Sequence, residues 1–222
     1  MTYNFDWQVI VDATPLLIDG FKITVFISLI SSIIALVVGT SAALARLSKN
    51  KVINAIGTGY VEFFRNTPLL VQIYLYYRGL PNIGIELDPI TCGILALSIY
   101  TGSYITEVVR AGIQSIAREQ FEAARALGLS PLQTMQLIIL PQAIRIIIPP
   151  LGNQFINLTK NSSLVSFITV TDVTYVVYQG SVDEFRFFEF FVIGCLIYMV
   201  LVGIISLFTN LIEYYFRIPG RA

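Results

Sequence analysis

The length of the apolar runs constrains this chain more than any other feature. From about Phe21 to Leu47 the only charges are Lys22 and Arg46, and a helix of that length crosses a hydrocarbon core of about 30 Å with some tilt. Further apolar runs extend from about Ile90 to Val109, from near Ile144 onward, and from about Phe187 to Phe208. With 55% hydrophobic and 13% charged residues and a mean hydropathy of +0.75, the composition is that of a polytopic membrane protein. In lipid every backbone polar group must be satisfied internally, so such runs fold as helices.

One further run, Val52 to Leu80, is interrupted by Glu62, Arg65, Asn66 and Pro68. It reads as an amphipathic approach, a break, and a shorter inner helix starting at Pro68. Broken helices occur in membranes where backbone lines a cavity or is buried in protein. Counting this run, the expected fold is all-α with five transmembrane helices in a single domain over residues 1–222. Residues 1–20 lack a basic n-region, so they are not expected to be a cleavable signal peptide. With Trp7 among them, they are expected to lie along the outer membrane surface.

Zero net charge makes no case for nucleic acid, and the sequence has no histidine, the commonest metal ligand and general base. Cys92 and Cys195 stand alone in apolar segments, so no disulfide framework or metal site is expected. No nucleophile–base set suggests an enzyme. A P-loop string is also absent, so the chain is not expected to bind ATP through one.

Between the apolar runs lies a polar, helix-forming island, expected over residues 113–143. Glu119 to Leu127 are mostly good helix formers, and Gly128 sits where a C-terminal cap belongs. Ser130, Pro131 and Gln133 form a capping box for a second short helix. The island also carries a spacing: Glu122-Ala123-Ala124, three residues, Gly128, nine residues, Ile138, one residue, Leu140-Pro141. This resembles the EAA loop of the membrane subunits of bacterial ABC importers. Two more strings, RNTPLLVQ from Arg65 and LTKNSSLVS from Leu158, are similar to the branch of those permeases that carries polar amino acids of the histidine, glutamine, glutamate and arginine type.

The resemblance implies several things about function. Glu122, Ala123, Ala124, Gly128, Ser130, Leu140 and Pro141 would form a cytoplasmic coupling loop docked on separate ABC ATPase subunits, which hold the ATP and magnesium. A second permease copy or paralogue and an extracytoplasmic solute-binding protein would complete an importer working by alternating access. The alternatives are an importer for another small zwitterion, and an ATP-independent channel or scaffold.

Charge asymmetry sets an independent expectation for topology. Arg46, Lys49, Lys51, Arg65, Arg110, Arg118, Arg125, Arg145, Arg217 and Arg221 fall on one side of five crossings, against Lys22, Arg78, Lys160 and Arg186 elsewhere. This bias puts the island and the C-terminus in the cytoplasm and the N-terminus outside; that the membrane is a bacterial cytoplasmic one is what the resemblance implies.

Candidate substrate residues come from the fourth run, where Asn153, Gln154, Asn157, Lys160 and Asn161 recur at helical steps. Lys160 lies fifteen residues beyond Arg145, roughly 22 Å along a helix. An ionisable group at that depth faces a cavity or a partner, or it costs several kcal/mol. Snorkelling, or a salt bridge to Asp172 or Asp183, would also accommodate it. Ser163 is expected to add a hydroxyl to the same pathway, and Gln72 to border it from the broken second run. Glu62 with Arg65 and Glu107 with Arg110, each three apart, are expected to be structural ion pairs.

Overall fold

The structure is a computed structural model that describes residues 4–216. It is all-helical, with no strand among the described residues. In order the helices are α1 (Trp7–Arg46), α2 (Lys51–Arg65), α3 (Leu69–Tyr74), α4 (Pro89–Gln114), α5 (Arg118–Ala126), α6 (Pro131–Thr134), α7 (Leu140–Asn161), α8 (Val173–Asp183) and α9 (Phe187–Phe216).

Among the described residues, four helical stretches are long and apolar enough to cross a membrane: Trp7–Arg46, Pro89–Gln114, Pro131–Ile168 and Phe187–Phe216. The expected second span is not one of them, because it is divided into α2 of 15 residues and α3 of 6. Pro68 has no N–H to continue α2 and takes an extended conformation, so a new helix starts after it. The expected interfacial segment is not a separate element either. From Trp7 onward it is the first part of α1, a single helix of 40 residues capped by Asp6 and containing Pro15. Pro149 and Pro150 lie within α7, which continues through them.

Among the described residues two π-helical turns occur, and each immediately precedes a Leu-Pro pair. The N–H of Leu80 donates to Leu75 O, and that of Leu140 donates to Met135 O, both five residues back. The following prolines, Pro81 and Pro141, have no N–H to keep the four-residue register going. The wider turn relieves the clash of their rings with the carbonyls four residues back.

Helices α1 and α4 run in the same direction and make the most extensive helix–helix contact in the fold. Small residues allow it: Ala35, Gly39 and Ala43 are buried along one stripe of α1. The carbonyl of Gly39 accepts from Thr106 Oγ1 at 3.1 Å, and a Cβ on Gly39 would come within 2.7 Å of Gly102 O. Tyr60 of α2 joins the same helix by donating to Ile99 O at 2.7 Å. Near the middle of α1, Thr24 Oγ1 accepts from the N–H of Val173 at 3.1 Å, which ties down the start of α8. Helix α9 runs antiparallel to α7, with Gly152 packed under Thr209. Its side chains Met199, Ile204, Leu207 and Leu211 are left exposed, as a lipid-facing surface requires.

The α1–α4 seam gives the first prediction. Gly39→Leu should overpack it, at about 1–3 kcal/mol, and lower the melting temperature of the detergent-purified protein. Gly59→Ala, where a Cβ meets nothing within 4 Å, should leave it level or slightly higher. Equal melting temperatures for Gly39→Leu and wild type would contradict the packing described.

Candidate functional site

The polar island folds into a two-helix knob whose corner is fully hydrogen-bonded. Helix α5 ends at Ala126 with Leu127 as its C-cap, and Gly128 follows with φ of 78°, the left-handed region that glycine enters without steric cost. Gly128 N–H donates to Arg125 O at 2.9 Å and Leu129 N–H to Ala124 O at 3.1 Å. Together these make a Schellman ending. Ser130 then opens α6 with a reciprocal capping box: its Oγ accepts from Gln133 N–H at 3.3 Å and its N–H donates to Gln133 Oε1 at 2.9 Å.

Within the knob, Ala124 is buried, whereas Glu122 and Ala123 are exposed, Glu122 taking a hydrogen bond from Arg118 at 3.1 Å. Leu127, Leu132 and Leu137 are also exposed, an apolar patch on an otherwise polar projection. Leu140 and Pro141 lie at the root, where the π turn hands over to α7.

Just above the knob, Glu107 of α4 pairs with Arg46 of α1 and with Arg110 at 2.7 Å. The expected pair of Glu62 with Arg65 is not among the ion pairs of the described residues. Glu62 instead accepts from Asn66 Nδ2 at 3.1 Å, and Arg65 places its guanidinium 4.9 Å from the ring centroid of Tyr104. A stacked guanidinium keeps its edge donors free while the ring supplies attraction, so the aromatic face competes well with an exposed carboxylate.

A polar cavity of about 520 Å³ opens between α4 and α7, lined by Tyr100, Thr101, Tyr104, Gln154, Asn157, Lys160 and Asn161. Lys160 stands in the last turn of α7, where a cation is favoured by the helix dipole. Among the described residues it makes no ion pair. Asp172 accepts instead from the N–H of Tyr175 at 2.9 Å and from Tyr198 Oη at 3.2 Å, and Asp183 accepts from Gln179 at 3.0 Å. The side chains of Gln154, Asn157 and Asn161 likewise have no hydrogen-bond partner among the described residues. The wall thus presents one cation and three amides with their bonding capacity unspent.

Three expected pathway residues lie elsewhere. Asn153, one turn before Asn157, is exposed outside the lining. Ser163 spends its hydroxyl on Lys160 O at 2.8 Å. Gln72 is buried, and its Nε2 donates to Phe64 O at 3.0 Å and to Thr67 Oγ1 at 2.7 Å, so it fills the backbone gap left by the α2–α3 break. Sequence reasoning missed Tyr100 and Tyr104. Their only signal was two phenols four apart among apolar or small neighbours on α4.

Residues 35–216 match the family described as binding-protein-dependent transport system inner membrane component. The chain belongs to this family. It is 42% identical over 206 residues to the probable glutamine ABC transporter permease protein of Bacillus subtilis, covering 93% of this chain and 95% of that one. It is also 34% identical to the glutamine transport system permease protein of Escherichia coli K12, covering 95% and 97% respectively. Among solved structures, an amino acid ABC transporter described as crystallised with histidines superposes with a TM-score of 0.90 at 37% identity, over 96% of this chain and 100% of that one. A methionine ABC transporter, at 18% identity and TM-score 0.78, shares the fold. The chain is therefore a multi-pass permease subunit of an ABC transporter and not an enzyme.

Accessibility separates the two polar positions. With Cys92 and Cys195 replaced, cysteine at Asn157 should react readily with a hydrophilic thiol reagent, and cysteine at the buried Gln72 should not. Comparable labelling rates at the two sites would contradict the cavity's boundary.

Proposed function

We propose that this subunit imports polar amino acids across a bacterial cytoplasmic membrane, with its cargo held in the cavity beside Lys160. The observation that carries the reading is the cavity itself: a lone cation with unspent amides around it, inside a permease bundle. The α-carboxylate is the anion that every amino acid supplies, and the names of the relatives at 34–42% identity agree.

In this reading α2 and α3, joined through their break, make the fifth crossing. The N-terminus lies outside and the knob in the cytoplasm, following the basic residues. Arg217 and Arg221, which belong to that count, lie outside the described residues. The knob is the EAA loop, and its exposed Leu127, Leu132 and Leu137 enter a groove of an ABC ATPase subunit that holds ATP and magnesium. This chain binds no cofactor of its own. A second permease copy or paralogue closes the open side of the cavity, and an external solute-binding protein delivers the amino acid. Closure of the ATPase pair then pulls the two knobs and shifts the population between outward- and inward-open bundles.

Two variants test the two halves of this account. Lys160→Met keeps the length and loses the cation. Assembly with the ATPase should persist while uptake falls on the order of ten- to a hundredfold, the worth of one charge-assisted bond. Wild-type uptake by this variant would sink the site. At the knob, Gly128→Val must hold a β-branched residue in a left-handed conformation, at about 1–2 kcal/mol. It should uncouple ATP hydrolysis from uptake at normal expression. Gly128→Asn, which tolerates that conformation, should remain coupled, whereas normal transport by Gly128→Val would contradict the knob's assignment.

A further inference from the structure

We infer that the cavity selects amino acids with neutral or acidic side chains and excludes those carrying a cation. The inference rests on the cavity being the substrate site, and it assigns the discrimination to Gln154 and Arg65.

The lining of Tyr100, Thr101, Tyr104, Gln154, Asn157, Lys160 and Asn161 contains one cation and no carboxylate. Gln154 and Lys160 are six residues apart on α7, about 9 Å along the helix axis, which is comparable with an extended amino acid. A carboxylate held at Lys160 therefore sends the tip of its side chain towards Gln154 and Tyr104. That end is not electrically neutral, because the Arg65 guanidinium lies over the Tyr104 ring, 4.9 Å from its centroid.

The α-ammonium is common to every amino acid and drops out of the comparison, whereas a guanidinium or ammonium tip there would lose water, meet a second cation, and find no anion on this wall in return. An amide tip finds donors and acceptors in Gln154 and in the Tyr100 and Tyr104 hydroxyls, which lie 3.1 Å apart. A carboxylate tip is drawn by Arg65. Carboxylates on the neighbouring elements are engaged outside the lining: Glu62 with Asn66, Glu107 with Arg46 and Arg110, and Asp172 with Tyr175 and Tyr198.

The test is calorimetric titration of the purified permease–ATPase complex with glutamine and with arginine, the binding protein being left out because it has its own selectivity. Glutamine should bind at least about tenfold more tightly than arginine, on the scale of one charge-assisted bond gained or lost. Gln154→Glu, which preserves length and places an anion at the tip, should raise arginine affinity about tenfold. Wild-type complex binding arginine as tightly as glutamine would overturn the charge selection, whether or not the Gln154 variant folds. Lys160→Met separates this outcome from failure of the site. If it abolishes binding of both amino acids, the cavity stands whatever its preference. Undiminished glutamine binding by Lys160→Met, or no glutamine binding by wild type, would overturn the site and the selection together.

Discussion

The close approach of α1 and α4 underlies the rest of the bundle. Between membrane helices there is little hydrophobic driving force, since lipid is as apolar as leucine, so contact depends on small residues and on hydrogen bonds across the seam. Gly39 against the Gly102 carbonyl, with Thr106 bonding back to Gly39, supplies both. Once α4 is fixed, the face bearing Tyr100, Thr101 and Tyr104 becomes a rigid wall. Helix α7 packs against the same helix and brings Gln154, Asn157 and Lys160 opposite. The cavity is the space these two helices leave where their facing residues are polar.

Departures from regular helix follow a second rule, that lipid offers no substitute for a lost backbone bond. At the α2–α3 break, Gln72 turns inward and caps the free carbonyl of Phe64. Before Pro81 and Pro141 the chain widens into π turns, so that Leu80 and Leu140 still find acceptors. Two of these three irregularities lie beside the candidate site: the break next to Arg65 and Tyr104, and the second π turn between the knob and α7. A rigid link through that turn would pass a displacement of the knob directly to the helix that bears Lys160.

Much of this was legible in the sequence, for reasons that differ from one element to the next. The long apolar runs, the Gly128 corner and the Ser130 capping box are local signals, and local chemistry decides them. The break near Pro68 was legible for the same reason. The role of Gln72 was not: a glutamine in an apolar helix reads as pathway, and only the position of the Phe64 and Thr67 oxygens makes it a backbone cap. Arg65 was misassigned to Glu62 because spacing along one helix says nothing about an aromatic face on another. The start of α1 was placed too late, since Trp7 among apolar neighbours suggested a segment lying on the membrane surface, whereas the helix runs unbroken from Trp7. Tyr100 and Tyr104 escaped because they are half-buried, and their importance depends on what stands across from them.

The central claim is that Lys160 receives a substrate carboxylate rather than reaching for water at the membrane edge. A structure of the assembled transporter with an amino acid bound tests it most directly. The account predicts carboxylate density within hydrogen-bonding distance of Lys160 Nζ, and a side chain extending along α7 towards Gln154. An amino acid bound elsewhere in the bundle, with Lys160 extended into the headgroup region, would contradict it.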